Sequence, residues 1–249
     1  MEQIPSNTPI MESKPGPAGW LPVWIKAVTQ PNEKTFVDIT ENPDANAKTA
    51  YIWVFIAGTI SGIVQAFASA FGSASALSSL SQIPELSQYI PQSTGGGGFA
   101  IGSLIGGVCA SPLVGLLSVV FFALGVAIFQ WIAKMFGGTG TYEKLLYAMA
   151  AIMVPFTLVS AVLSLLGMIP YVGMCTGVIS IGLGLYSLVL EVIAVKAVNR
   201  FGYGQAVGSV FIPGCVVFIF CACIVFGGLM LLGPVMGDVF QGINQSLAP

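Results

Sequence analysis

The stretch "FAIGSLIGGVCASPLVGLLSVVFFALGVAIFQWIA", residues 99–133, contains no charged side chain. As a helix it would run about 50 Å, against a hydrocarbon core of roughly 30 Å. It is too long for one upright span and short for two. How many times it crosses decides the topology of the whole chain.

Four further runs are apolar enough and long enough to cross: Tyr51–Phe71, Leu145–Met168, Tyr171–Val195 and Gly208–Leu232. Counting the long stretch once, as a span over 112–134, gives five crossings. Lys14, Lys26, Lys34 and Lys48 then share a side with Lys134, Lys144, Lys196 and Arg200. The other side carries no lysine or arginine. Counting it twice moves the last four bases across and divides them four to four. The positive-inside rule favours the first arrangement, with the N-terminus cytoplasmic and the C-terminus outside. Tyr51, Trp53, Trp131, Tyr142, Tyr171 and Tyr203 fall near the predicted span ends, as interfacial aromatics do. The expected fold is all-α: a polytopic integral membrane protein, a bundle of five transmembrane helices. Residues 99–111 either lie in the outer interface or extend the second span.

Composition requires the same solvent. The chain is 55% hydrophobic and 7% charged, with a mean hydropathy of +0.90. Soluble domains carry roughly a quarter of their residues as charges. Six acids and four bases lie before Ala50, and only eight charged residues follow. A net charge of −2 offers no basic field to a nucleic acid. Residues 1–19, rich in proline and polar side chains, read as a disordered cytoplasmic tail and not as a cleaved leader. Residues 20–50 read as a juxtamembrane segment. Its Trp20 and Trp24, one turn apart, suit an interfacial helix with Lys26 turned towards head groups. Residues 233–249 read as a short outer tail.

Catalytic and metal chemistry find little purchase. There is no histidine. The five cysteines, Cys109, Cys175, Cys215, Cys221 and Cys223, sit singly in apolar runs as packing residues. Gly95–Gly98 lack the lysine and preceding strand of a phosphate loop. Glu85 and Asp238 stand isolated on the outer side. No enzyme, cofactor or metal is expected.

The densest charge within the apolar region is "YSLVLEVIAVKAVNRFGYG", residues 186–204. Glu191 lies about 30 Å along the helix from Tyr171, at the inner edge of the bilayer. Lys196 and Arg200, four apart, share a face in the head-group zone and would repel each other without an anion nearby. Glu191 points about 140° away from Lys196, so it is expected to meet Lys144 or Lys134 across the inner ends of the neighbouring spans, or else to snorkel without a partner. Lys134, Lys144, Glu191, Lys196, Arg200, Gly202 and Tyr203 form the candidate interaction cluster at this edge. Small residues recur at fourfold spacing in Gly58/Gly62, Gly102/Gly106 and Gly173/Gly177, which lets helix backbones approach closely. Packing within the chain is one use and self-association into a homo-oligomer the other. Pro155 and Pro213 fall inside spans, and Pro170 in an outer turn.

Three segments resemble the Yip-domain family, the Ypt/Rab-interacting membrane proteins. They are "GGTGTYEKLLYAMAAIMVPF" (137–156), "LGLYSLVLEVIAVKAVNRFGYGQAVGSVFIP" (183–213), with its Gly202-Tyr203 element, and the lead-in "WIKAVTQPNEKTFVDI" (24–39). The Asp-Leu-Tyr-Gly-Pro motif of eukaryotic members is absent, so the resemblance is to prokaryotic members, in the cytoplasmic membrane. It implies five spans, a cytoplasmic N-terminus, no catalysis, and a scaffold or adaptor that organises membrane through a protein partner on the cytoplasmic side. The alternative is an oligomeric small-solute or ion transporter or channel, which ought to show a polar path lined by residues such as Thr157, Ser160, Ser164 and Ser209.

Overall fold

The structure is a computed structural model, and it describes residues 19–43, 45–81, 96–169 and 171–247. The disordered tail, the outer loop with Glu85, and the turn at Pro170 were expectations that lie outside those residues. Among the described residues seven helices follow in order: α1 (Trp20–Thr29), α2 (Glu33–Thr40), α3 (Ala47–Ser81), α4 (Gly96–Met135), α5 (Tyr142–Leu166), α6 (Val172–Asn199) and α7 (Tyr203–Leu247). No strand occurs among the described residues. Five of the helices, α3 to α7, are long and apolar enough to cross a membrane.

The disputed stretch is a single helix. α4 runs without a break through Pro112, so residues 99–111 continue the helix of the second span and form no separate arm. Its forty residues reach about 60 Å, which requires tilt or protrusion beyond the hydrocarbon core. α7 likewise continues to Leu247, through the residues read as an outer tail. Pro155 is accommodated inside α5.

Local chemistry sets the helix starts near the lysines. Asn32 caps α2, its side chain accepting from the Thr35 amide at 2.8 Å, and Glu33 follows in the first turn where the helix dipole favours an anion. Asn46 caps α3 through the Thr49 amide at 2.8 Å. Thr141 begins α5, with Glu143 in its first turn. Gly137, at φ +86°, turns the chain out of α4 in a conformation that suits glycine.

The start of α3, the end of α4, the start of α5, the end of α6 and the start of α7 converge at one end, hereafter the basic end. Tyr51 and Tyr142 meet there, hydroxyl to hydroxyl at 3.4 Å. The buried core is concentrated at this end: Trp53, Val54, Leu145, Leu146, Tyr147, Leu190 and Val195 are all fully enclosed. Further out, large apolar side chains such as Phe121, Val178, Ile181 and Phe218 stand exposed. In water that surface would be untenable. In lipid it is the wetted face.

α3 and α4 pack most closely, by a seam of small residues. A Cβ at Gly58 would fall 2.8 Å from Ser118 Oγ, one at Gly62 3.2 Å from Ser111 Cβ, and one at Gly107 2.6 Å from Ala66 Cβ. At Gly115 it would meet the Thr59 hydroxyl and come within 2.9 Å of the Phe55 carbonyl oxygen. The expected Gly102/Gly106 pair faces open space; the neighbouring Gly107 makes the contact instead. Gly173 meets only the Gly167 carbonyl at the α5–α6 turn, and Gly177 faces open space. That pair therefore forms no helix seam: Gly173 abuts the turn at Gly167, and nothing lies within 4 Å of a Cβ at Gly177.

Candidate functional site

The basic end is covered by α1 and α2. Phe36 and Ile39 of α2 are buried in the core shared with α5 and α6. Trp20 and Trp24 of α1 pack edge-on against Trp53, with ring centroids 6.0 and 5.5 Å apart, and Trp53 stacks on Tyr147 at 4.9 Å. The Tyr186 hydroxyl of α6 donates to the Val28 carbonyl at 2.6 Å. The tryptophans thus turn into the bundle, and Leu21 and Ile25 occupy the exposed side of α1. Lys26 pairs with Asp38 at 3.3 Å, joining α1 to α2.

The charges at residues 186–204 clamp α2 in place. Lys196 forms an ion pair with Glu33, and its ammonium lies 3.4 Å from the centroid of the Tyr203 ring. The Tyr203 hydroxyl also donates to Glu33, at 3.3 Å. The hydrogen bond from Lys196 holds the Glu33 carboxyl below its ordinary range. Arg200 adopts the left-handed conformation at φ +55° to end α6, and its guanidinium stands 3.6 Å from Glu41. The two bases expected to repel each other are each held by an acid of α2. Glu33 and Glu41, eight apart and more than 150 positions before the two bases, were absent from the sequence reading of the cluster.

Beneath the clamp lies a buried polar latch. The Gln130 side-chain amide donates to the Gly140 carbonyl at 2.7 Å and to Asn199 Oδ1 at 3.1 Å. The Asn199 amide donates to the Val195 carbonyl, and the Asn199 carbonyl accepts from the Thr139 amide. Asn199 is 0% exposed and Gln130 4%, in a region where an unpartnered amide is costly. Gly138 and Gly140 leave room for Asn199: a Cβ on either would come within 2.9 Å of its side chain. The α6–α7 connector joins the same network, since Gln205 donates to the Phe136 carbonyl and accepts from the Gly202 amide. Gly202 and Tyr203 are thereby drawn to the clamp.

Three members of the expected cluster remain apart from it. Lys134 is exposed and Lys144 half-buried. Glu191 forms an ion pair with neither of them among the described residues. It lines a cleft with Ser61, Gln65, Thr157, Ser160 and Ser187. The reason is angular: the face of α6 that carries Glu191 turns to α3 and α5, away from the ends that hold the lysines. No grouping of histidine, cysteine, aspartate or glutamate among the described residues could hold a metal, and the five cysteines are free and exposed.

No curated protein matches this chain. No solved structure matches it either. A family match does occur, to the Yip1 domain over residues 25–225, which takes in α2, the clamp, the latch and most of all five spans. The chain is a multi-pass membrane protein of the Yip1 domain family.

Proposed function

We propose that this protein is a non-enzymatic membrane scaffold whose basic end faces the cytoplasm and presents a folded platform to a protein partner. The observation that carries the reading is the docking of α2 on α6 through Glu33–Lys196 and Glu41–Arg200. That docking converts the lead-in segment from a tether into a surface. Its rim holds exposed charges of both signs, including Lys34, Asp38 and Lys48, suited to polar recognition. Family membership and the multi-pass architecture fit a role in organising membrane. Residence in a prokaryotic cytoplasmic membrane is part of the same proposal.

The test is a photo-crosslinker at Lys34 in the wild-type chain and in Phe36→Ala. A discrete adduct present in the first and lost in the second supports a platform. Equal capture by both speaks against it.

The alternative, a transporter, draws its support from the polar cleft at Glu191. It calls for that polar lining to continue across the bundle. Val178, Ile181 and Leu185, further out on α6, are exposed and apolar. Solute flux through proteoliposomes of the purified protein would favour transport over the scaffold.

A further inference from the structure

The cleft between α3, α5 and α6 has a volume of about 280 Å³ and a lining unusual for a lipid-immersed bundle. One carboxylate, Glu191, is joined there by Ser61, Gln65, Thr157, Ser160 and Ser187, with no basic side chain. Glu191 is half-buried, and the nearest base along its own helix, Lys196, is committed to Glu33. Ser187 donates its hydroxyl proton to the Gly184 carbonyl at 2.9 Å, which leaves its oxygen to accept. Glu191, Ser61, Gln65, Thr157 and Ser160 make no side-chain hydrogen bond or ion pair to other described residues. Hydrocarbon offers these groups no partner, and the carboxylate is the one that most needs a counter-charge.

The helix directions bring these oxygens together. α3 and α5 leave the basic end, while α6 returns to it. The Asn199 carbonyl accepts from the Thr139 amide at 3.2 Å, which sets the end of α6 beside the start of α5. Counted from those ends, Glu191 and Ser187 lie about 12 and 18 Å in on α6, and Thr157 and Ser160 about 22 and 27 Å in on α5. Ser61 of α3 follows by one turn Ala57, which lines a smaller void together with Thr157. Helical side chains lean towards the N-terminus of their own helix. Glu191 therefore leans away from the basic end, while Ser61, Gln65, Thr157 and Ser160 lean back towards it. The carboxylate and the neutral oxygens approach one level from opposite directions.

We infer that the Glu191 cleft binds one alkali-metal cation, with Glu191 as its counter-charge and the Thr157 and Ser187 hydroxyl oxygens as neutral ligands. The polar lining offers carboxylate, hydroxyl and amide oxygens, the ligands of hard cations. No thiolate or imidazole lines the cleft, so softer transition metals lack the ligands they prefer. Charge then selects among the hard ions. A single carboxylate neutralises a monovalent ion, whereas it leaves a divalent one with a net positive charge in lipid, where charge is penalised. The volume leaves space for an ion that keeps part of its water shell, which completes its coordination. Bound there, the ion braces α5 against α6 from within the bundle. This inference stands whether or not the scaffold reading does.

The experiment measures binding of radioactive sodium, and of rubidium as a stand-in for potassium, to the full chain in phosphatidylcholine nanodiscs. Choline chloride holds the ionic strength constant. The expected result is a single saturable site per chain for sodium, rubidium or both, not displaced by equimolar magnesium. Glu191→Gln should abolish the binding. Thr157→Val and Ser187→Ala should each weaken it by about tenfold, as the loss of a contact to a charged group does. Glu143→Gln, which removes an exposed carboxylate at the basic end, should leave it unchanged. Thermal melting in choline chloride shows which variants fold; should Glu191→Gln fail to fold, Thr157→Val and Ser187→Ala carry the test. No saturable binding of either ion by the wild-type chain, or displacement by equimolar magnesium, would overturn the inference. So would unchanged binding in folded Glu191→Gln, or unchanged affinity in both hydroxyl variants.

Discussion

The Lys196 ammonium is shared between the Glu33 carboxylate and the face of Tyr203, so that α2, the end of α6 and the start of α7 meet at one charge. Both Glu33 and Tyr203 reach it from outside the bundle core, while Lys196 comes from a helix whose neighbours Val195 and Ala197 are buried. The arrangement orients α2. Its retention comes from the apolar side, where Phe36 and Ile39 are removed from solvent.

This division of labour is measurable. Phe36 is fully buried, and Phe36→Ala should cost about 3–5 kcal/mol of docking stability. Lys196→Met and Glu33→Gln should cost much less, since half-exposed ion pairs contribute little. Hydrogen exchange across 33–40 reports the difference: strong deprotection in Phe36→Ala, modest deprotection in the charge variants, and partial restoration in the swap of Glu33→Lys with Lys196→Glu.

Acid should loosen α2 in a defined direction. The Glu33 carboxyl is held below its ordinary value of 4.5 by the hydrogen bond from Lys196. The folded state therefore binds that proton less readily than the released segment does. The stabilisation is complete above the unfolded value and is lost as pH falls through the lower folded value. Fluorescence of Trp20 and Trp24, which pack on Trp53, should stay constant from pH ~7 to ~5 and change below ~4.5. In Glu33→Gln that part of the transition should disappear.

The α3–α4 seam predicts a contrast between glycines of similar appearance. Gly115→Leu must displace Thr59 or the backbone at Phe55 and should lower stability in detergent by about 1–3 kcal/mol or more. Gly177→Leu, which meets open space, should leave the melting temperature nearly unchanged. Equal destabilisation by the two would contradict the seam.

The latch predicts a further cost. Asn199→Leu removes an acceptor from Gln130 and a donor to Val195, in full burial. It should destabilise by roughly 1–3 kcal/mol and loosen the 136–141 loop, read as faster exchange at the Thr139 amide.

The spans were legible because a helix in lipid needs only length and apolarity, both local properties. The residue range 99–133 resisted, since composition alone cannot distinguish a long tilted helix from a span with an interfacial arm. Arg200 and Lys196 were visible as a basic pair, but their partners Glu33 and Glu41 lie more than 150 positions earlier, and no local period links the two helices. Gly58/Gly62 and Gly173/Gly177 have the same spacing and different surroundings. Spacing permits close approach; the residues opposite, Ser118 and Ser111 in one case and open space in the other, decide whether it occurs. Gln130 and Asn199 carried no signal beyond being amides in apolar sequence, which is itself a reason to ask where their hydrogen bonds go.

The central claim is that α2, the α4–α5 loop and the α6–α7 connector share one side of the membrane. Replace the five native cysteines, place single cysteines at Lys34, Gly137, Gly202 and Ile169, and label sealed vesicles of each orientation with a membrane-impermeant maleimide. The account predicts that positions 34, 137 and 202 react from the same side, the cytoplasmic one, and that 169 reacts only from the other. Labelling of 137 and 202 from opposite sides would contradict it.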